Sequence, residues 1–307
     1  MNEFNLTTPI AFIIFNRPDT TKRVFEAIRL AKPEQLFIIA DGPRNNKAGE
    51  EQKCLETRAI TELVDWDCEI FRNYAPKNLG CRNRVSSGLD WVFENVEEAI
   101  ILEDDCSPHP TFFRYCQELL AKYKNDDKVM MISGNNVLAD YEYYVSSYYF
   151  SNFAHIWGWA TWKRVWQNYD VEMKEWNQNN LKDFLSAKLP NKSTVKFWQT
   201  IIEDVYNRTI DTWDVQLQYY FWKQNGLTVI PAKNLVINLG FGLNATNTSG
   251  SGGLYEKMKL CSIDFPLVHP KSLKSNVEAD TLENKLYHKF GYKEKVRRYI
   301  LKFGIKV

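Results

Sequence analysis

Glu103, Asp104 and Asp105 stand in a row directly behind a wholly apolar stretch, Ala99-Ile100-Ile101-Leu102. A run of that kind suits a buried strand, and three adjacent carboxylates at its end repel one another unless a cation or a hydroxyl-rich ligand meets them. Two further apolar runs end in residues able to meet the same ligand. IAFIIF (10–15) ends in Asn16-Arg17, and LFIIA (36–40) ends in Asp41-Gly42. A guanidinium suits a phosphate, a lone carboxylate accepts from a base or a hydroxyl, and an acidic cluster suits Mg2+ or Mn2+. Those cations take one or two protein carboxylates and draw their other oxygens from a diphosphate and water. In extended chain Asp104 and Asp105 would point to opposite sides, one toward a metal and the other toward a ribose. A metal so placed would offset the charge building on a departing nucleoside diphosphate. A plainer reading has the three acids cap the next helix or face solvent.

A fourth carboxylate invites a different role. In DTWDVQLQYYF (211–221), Asp214 follows Trp213 and could take a proton from an acceptor hydroxyl as a new bond forms. The same segment also reads as a helix start with Asp214 at its N-terminus. Between Tyr143 and Trp162 nine of twenty residues are aromatic. Most of these rings belong to a core or a groove wall, while Trp157, Trp159 and Trp162 are dense enough to stack on the CH face of a pyranose. His109 and His155 have no partner at metal-ligand spacing and read as structural. No G-x-x-x-x-G-K-[ST] and no G-x-G-x-x-G follows the first strand, so neither a P-loop nor a dinucleotide fingerprint fits.

These residues must be positioned by regular elements. Through about residue 135, apolar strands alternate with amphipathic helices, which predicts an α/β fold with a mainly parallel sheet flanked by helices. Strands are expected at 10–15, 36–40, near 68–72, 99–102 and 129–133, with helices at 19–31, 54–64, 78–93 and after Ser107-Pro108-His109-Pro110. In an open parallel sheet, ligands bind beyond the carboxyl ends of the strands, where Asn16, Arg17, Asp41 and the three acids fall. The rhythm then breaks. Residues 163–224 read as mostly helical, LTVIPAKNLVINLG (227–240) as strand, and GFGLNATNTSGSGG (240–253) as a connector or a lid over the ligand.

A chain of 307 residues, 44% hydrophobic and 25% charged, is expected to be globular, and a net charge of +1 gives no support for a general nucleic-acid binder. Six cysteines without C-x-x-C pairing read as reduced thiols, which places the protein in the cytoplasm. The stretch MNEFNLTTPIAFIIFNRP lacks a basic n-region, so it is not read as an export signal, and no segment is apolar enough to span a membrane. The tail is basic, with Lys285, Lys289, Lys293, Lys295, Arg297, Arg298, Lys302 and Lys306 against Glu283 and Glu294, and has interleaved apolar residues. It suits either peripheral contact with an anionic leaflet at the inner face of the plasma membrane or packing on the domain.

The motifs FNRP (15–18), ADG (40–42), NLGCRNRVSSGLDWVF (78–93), ILEDDCSPHPTFFRY (101–115), HIWGWATWKRVW (155–166) and TWD (212–214) occur in an order and spacing that resemble a known family. The chain is similar to GT-A fold nucleotide-sugar glycosyltransferases, in particular the N-acetylglucosaminyltransferase I family and its bacterial relatives, over about residues 9–250. The resemblance implies a GT-A domain over 1–270, with a nucleotide-binding half (1–135) and a donor-sugar and acceptor half (136–270). A helical, basic amphipathic extension would follow at 271–307. It also implies a metal-dependent, inverting transfer from a UDP-sugar to a saccharide or lipid-linked saccharide, as in bacterial surface polysaccharide or glycolipid assembly. By the same resemblance Asn16 and Arg17 would face the nucleotide and its diphosphate, Asp41 the uracil and Arg84 the nucleotide. Glu103 would face the donor sugar, Asp104 the ribose and Asp105 Mn2+ (or Mg2+). Trp157 and Trp213 would line the donor-sugar pocket, and Asp214 would be the general base. The sequence departs from the family at Trp157, where a smaller aliphatic residue is usual. Two other functions compete: a sugar-nucleotide pyrophosphorylase, which would carry a Gly-rich basic loop where FNRPDTT stands, and a non-catalytic carbohydrate-binding module, which would not need charged residues at three strand ends.

Overall fold

The structure, a computed structural model, describes residues 4–139, 145–176, 178–189, 191–240 and 258–286. The first half alternates as expected: β1 (Ile10–Ile14), α1 (Pro18–Ala31), β2 (Gln35–Ala40), α2 (Glu50–Ile60), β3 (Glu69–Tyr74), α3 (Gly80–Asn95) and β4 (Glu98–Glu103). Then come β5 (Cys106–Pro108), α4 (Thr111–Tyr123), β6 (Val129–Ser133), β7 (Tyr148–Ser151) and β8 (Trp159–Trp162). Four helices follow, α5 (Lys163–Trp166), α6 (Gln178–Lys188), α7 (Lys192–Tyr206) and α8 (Asp214–Gln224), and then β9 (Leu227–Pro231) and β10 (Val236–Asn238).

Eight strands form one mixed sheet in the order β3-β2-β1-β4-β8-β6-β9-β7. β3, β2, β1 and β4 run parallel, as do β6 and β9, whereas β8 is antiparallel to both β4 and β6, and β7 is antiparallel to β9. Every residue of β1 is buried, which is why IAFII reads as unbroken apolar sequence rather than as an alternation. β3 lies at the edge and carries Glu69 and Arg72, charges that discourage pairing with another chain. Helix α1 starts on Pro18, buries Thr21, Val24, Phe25 and Ile28 on one face, and stops at Lys32 in the left-handed region ahead of Pro33.

Three features of the arrangement matter for the site. The aromatic run supplies β8, so Trp159 and Trp162 are buried in the main core between β4 and β6 instead of presenting rings to a sugar. The expected strand at 227–240 is two strands. β10 leaves the main sheet and pairs antiparallel with β5, Ile237 facing Ser107, so Ser107-Pro108 is strand. Finally, the tail assigned to 271–307 is, through residue 286, built into the body. The Asn276 N–H donates to Phe150 O at 2.7 Å, and Asp280 accepts from Ser151 Oγ (2.6 Å), the Asn152 N–H (3.1 Å) and Asn152 Nδ2 (2.9 Å). Helical residues 277–286 also bring Ala279 against Leu138, Tyr149 and Ile230. The basic stretch from 287 on and the Gly/Ser loop from 241 to 253 lie outside the described residues. Among the described residues no helix is long and apolar enough to cross a membrane.

Besides the main core, a second apolar cluster forms where α6, α7 and α8 meet, around Leu185, Ile202, Val205 and Trp222. It fixes α7 and the start of α8 beside the sheet, on the side where Asp214 emerges.

Candidate active site

Residues at the carboxyl ends of β1 and β4 converge because the two strands are neighbours, with Ile13 abreast of Glu103. Past that register Asp104 and Asp105 occupy a turn between β4 and β5, not extended chain, so they do not point to opposite sides. Both face one guanidinium. Arg17 Nη1 lies 2.6 Å from Asp105 Oδ2 and 3.6 Å from Asp104 Oδ1, and the other Asp104 oxygen accepts the Phe15 backbone N–H at 3.1 Å. The β5–β10 pair closes the cluster from beyond. The Leu239 N–H donates to Asp105 O at 2.7 Å, and Gly240 packs so closely that a Cβ there would stand 2.2 Å from Asp105 Oδ2.

The charges in this cluster do not balance. Removal from water, then Asp105, Asp104 and Asp214, push the Glu103 carboxyl well above the usual carboxylate range, with Arg17 opposing. Asp104 is pushed up to about 7, first by burial and then by Asp105, against the pull of Arg17 and the Phe15 N–H. Three acids thus share one guanidinium, and a divalent cation would supply the missing charge. Among the described residues no group of three His, Cys, Asp or Glu side chains is arranged to hold a metal unaided. Asp104 and Asp105 could offer a divalent cation one or two carboxylate oxygens.

Asp41 and Arg84 are close to this centre but are occupied differently from the sequence expectation. Asp41 is buried, and its two oxygens accept from Gly42 N (2.8 Å), Leu79 N (2.9 Å), Gly80 N (3.2 Å) and Asn78 Nδ2 (2.9 Å). Four donors fill a carboxylate's acceptor capacity, so Asp41 joins the end of β2 to the start of α3 instead of offering an oxygen to a base. Burial is the main reason its pKa is raised, and the backbone N–H groups work against that. Arg84 is also buried and donates to Ala40 O (3.2 Å) and to Asn73 O (2.5 Å) and Oδ1 (3.0 Å), which ties the ends of β2 and β3 together and keeps the guanidinium from a ligand. Asn16 points sideways, donating from Nδ2 to Glu50 at 2.9 Å, and Glu50 in turn accepts from Arg44. The bonds from Arg44 are the main reason the Glu50 carboxyl sits below its usual range.

Asp211, a residue with no distinguishing sequence signal, completes the helix start. It accepts from Cys81 N (3.0 Å) and Arg82 N (3.2 Å), so two carboxylates, Asp41 and Asp211, serve the N–H groups at the start of α3. Gly80 has φ +81, and a Cβ there would lie 2.6 Å from Asp211, so both its backbone and its space call for glycine. Asp211 thereby anchors the loop that carries Asp214.

Asp214 opens α8, half-buried, with Thr212 Oγ1 donating to its Oδ1. It is near enough to Glu103 and Tyr169 to push both groups up, after the effect of burial. Trp213 faces the other way. It is 1% exposed, stacks on Trp159 with ring centroids 5.6 Å apart, and its carbonyl accepts from Tyr169 at 2.8 Å, so it belongs to the core and not to a sugar pocket. Trp157 does border open space. With Phe153, Phe197, Trp198, Asp214 and Glu283 it lines a cavity of about 290 Å³. His155 lines the same cavity, whereas His109 does local work, its Nδ1 meeting Thr111 Oγ1 at 2.9 Å at the head of α4.

Sequence reasoning missed Asp211, Gly240, Glu283 and the α7 aromatics. Only Gly240 carried any signal, as the first residue of a glycine-rich stretch.

No protein-family model and no curated protein sequence matches the chain. Among solved structures it is similar to a mannosyltransferase from Pyrobaculum calidifontis in complex with GDP-Man and Mn2+, with 10% identity and a TM-score of 0.37 over 55% of this chain and 48% of that one. It is also similar to a UDP-glucose pyrophosphorylase complexed with UDP-glucose, with 12% identity and a TM-score of 0.27 over 48% and 63% of the two chains. A cytidylyltransferase from Leptospira borgpetersenii gives 10% identity and a TM-score of 0.32 over 53% and 64%. The chain spans less than two thirds of the length of each.

Proposed function

We propose that the protein is a metal-dependent, inverting glycosyltransferase of GT-A type that moves a sugar from a UDP-sugar to a saccharide hydroxyl. The observation that carries this reading is the pairing of Arg17 with Asp104 and Asp105 at the ends of β1 and β4, beside a separate carboxylate, Asp214, that lines an aromatic cavity. The choice of UDP comes from the motif resemblance.

In this reading Asp105 would hold Mn2+ or Mg2+, which would supply positive charge against that of the departing nucleoside diphosphate. Arg17, held in place by Asp104 and Asp105, is the protein's own cation for that diphosphate. Glu103, whose carboxyl is pushed up first by burial and then by its acidic neighbours, would face a donor-sugar hydroxyl. Asp214 takes the proton of the attacking hydroxyl while the bond to the anomeric carbon forms on the face opposite the leaving group. Asp41 and Arg84 act from behind, fixing the strand ends and the start of α3.

Nucleotide titration with and without Mn2+ tests the first half. UDP binding should need the metal, and Asp105→Asn should weaken it by about 10- to 100-fold or more; binding indifferent to metal would sink the reading. For the second half, Asp214→Asn should leave UDP affinity intact while turnover falls about 100- to 10,000-fold.

A further inference from the structure

Just past β1, one side chain is held in a single orientation by an ion pair to which the transferase reading gives no task. Glu50 is buried at the start of α2 and accepts from Asn16 Nδ2 (2.9 Å), the Arg44 backbone N–H (2.7 Å) and Arg44 Nε (3.0 and 3.1 Å). Arg44 is fixed in turn, its guanidinium 5.6 Å from the centroid of the Phe15 ring. The bonds from Arg44 favour the ionised form of Glu50, and an ionised carboxylate only accepts. Asn16 must therefore turn its amide nitrogen to Glu50, which leaves Oδ1 on the other arm of the amide. Asn16 is half-buried, and among the described residues its Oδ1 has no hydrogen-bond partner and is not sealed in the interior.

An acceptor in that place selects its ligand. It repels phosphate oxygens and calls for an N–H or O–H donor. Arg17, the next residue, turns to Asp104 and Asp105 beyond β4, whereas Asn16 turns to Glu50 and the loop beyond β2. β1 lies between those two strands. A nucleotide with its diphosphate at Arg17 would therefore carry its base toward the β2 side. There the Asp41 carboxylate already accepts from Gly42, Leu79, Gly80 and Asn78, and Glu50 is filled by Arg44 and Asn16. Of these three side chains Asn16 alone keeps an open acceptor.

We propose that Asn16 Oδ1 accepts from an N–H on the edge of the donor's nucleobase, N3–H in uracil, and that Glu50, held by Arg44, is the positioning residue that sets the amide the right way round. This rests on the transferase reading, in which Arg17 holds the diphosphate. The task of reading the base thus passes from Asp41, which the motif resemblance assigns to uracil, to Asn16.

The test is calorimetric titration of the full chain, in Mn2+, with UDP, N3-methyl-UDP, 2′-deoxy-UDP and 3′-deoxy-UDP. N3-methylation should weaken binding to the unaltered protein about three- to tenfold, the worth of one hydrogen bond. Asn16→Ala should weaken UDP by a similar factor and bind UDP and N3-methyl-UDP alike, with the metal requirement unchanged. The two deoxy analogues should lose as much affinity on Asn16→Ala as UDP does. Glu50→Gln offers the Asn16 amide a donor as well as an acceptor, so it should shrink the preference for UDP over N3-methyl-UDP, a ratio that a loss of stability alone does not move. If UDP binds with metal but Asn16→Ala leaves its affinity unchanged, or still prefers UDP to the methylated analogue, the base contact is wrong and the transferase reading stands. An Asn16→Ala effect that vanishes in a deoxy analogue places the contact on the ribose and overturns the base assignment. Full preference retained in Glu50→Gln removes the positioning role. If UDP does not bind in Mn2+ at all, the transferase reading fails and this inference falls with it.

Discussion

At the scale of single residues, the acidic cluster shows how a binding site stores unfavourable charge. Glu103 and Asp104 are both held protonated more readily than free carboxyls, because burial and their neighbours oppose ionisation. Removing one acid relieves that tension at the expense of the site. Glu103→Gln should therefore raise stability by roughly 1 kcal/mol in urea unfolding while transfer activity falls. A loss of stability instead would mean that the cluster holds the fold together rather than straining it. Gly240 makes the complementary point about space. With Asp105 Oδ2 only 2.2 Å from a Cβ at that position, Gly240→Ala must push the carboxylate or Arg17 aside. The expected result is metal-dependent UDP binding about tenfold weaker, with the melting temperature little changed.

At the scale of elements, the start of α3 is the joint between the two halves of the chain. Four consecutive N–H groups, from Leu79 to Arg82, are served by Asp41 from the end of β2 and by Asp211 from the loop before α8. Asp211→Ala leaves two of them without a partner and should cost about 1 kcal/mol of stability, measurable in urea. It should also lower turnover more than UDP affinity, because the loop it anchors carries Asp214 and not Arg17 or Asp105. Equal losses in both would show that Asp211 supports the whole domain and not that loop.

At the scale of the whole molecule, helical residues 277–286 complete the body. Ending the chain at residue 276 would strip Glu283 from the buried His155, and breaking a buried pair in this way costs about 3–5 kcal/mol. The same helix carries a pH signature. Burial pushes the Asp280 carboxyl up to about 6 from 3.8, although Ser151 and Asn152 donate to it. A carboxyl raised in the folded state stabilises the fold in its protonated form. That contribution is fully present below about pH 4 and is lost as pH rises through 6, worth up to about 3 kcal/mol. Asp280→Asn, neutral throughout, should thus be most costly near pH 4 and progressively less so toward pH 7, as followed by chemical denaturation across that range. A penalty that grows with pH would reverse the assignment.

The sequence by itself determined the parallel half of the sheet and the strand ends. IAFII, LFIIA and AIILE are buried on both faces, so their apolar runs announce them without reference to the rest of the chain, and the residues that follow them fall at the ligand-binding edge. Arg17 and Asp105 could be singled out because each follows an apolar strand run, but the contact between them joins positions 88 residues apart and only the structure shows it. Only the tertiary structure decided the rest. Adjacent in sequence, Trp213 and Asp214 are a core ring and a cavity carboxylate, because the first turn of α8 sends them to opposite sides. Asp41 and Arg84 are taken up by main-chain groups that come from other elements. The insertion of β8 between β4 and β6, the β5–β10 pair that presses Gly240 on Asp105, and the meeting of His155 with Glu283 all join segments far apart in the chain. Local periodicity carries information about which face of an element is apolar. It carries none about which distant segment will cover that face, since that depends on the competition among all pairings for one shared core.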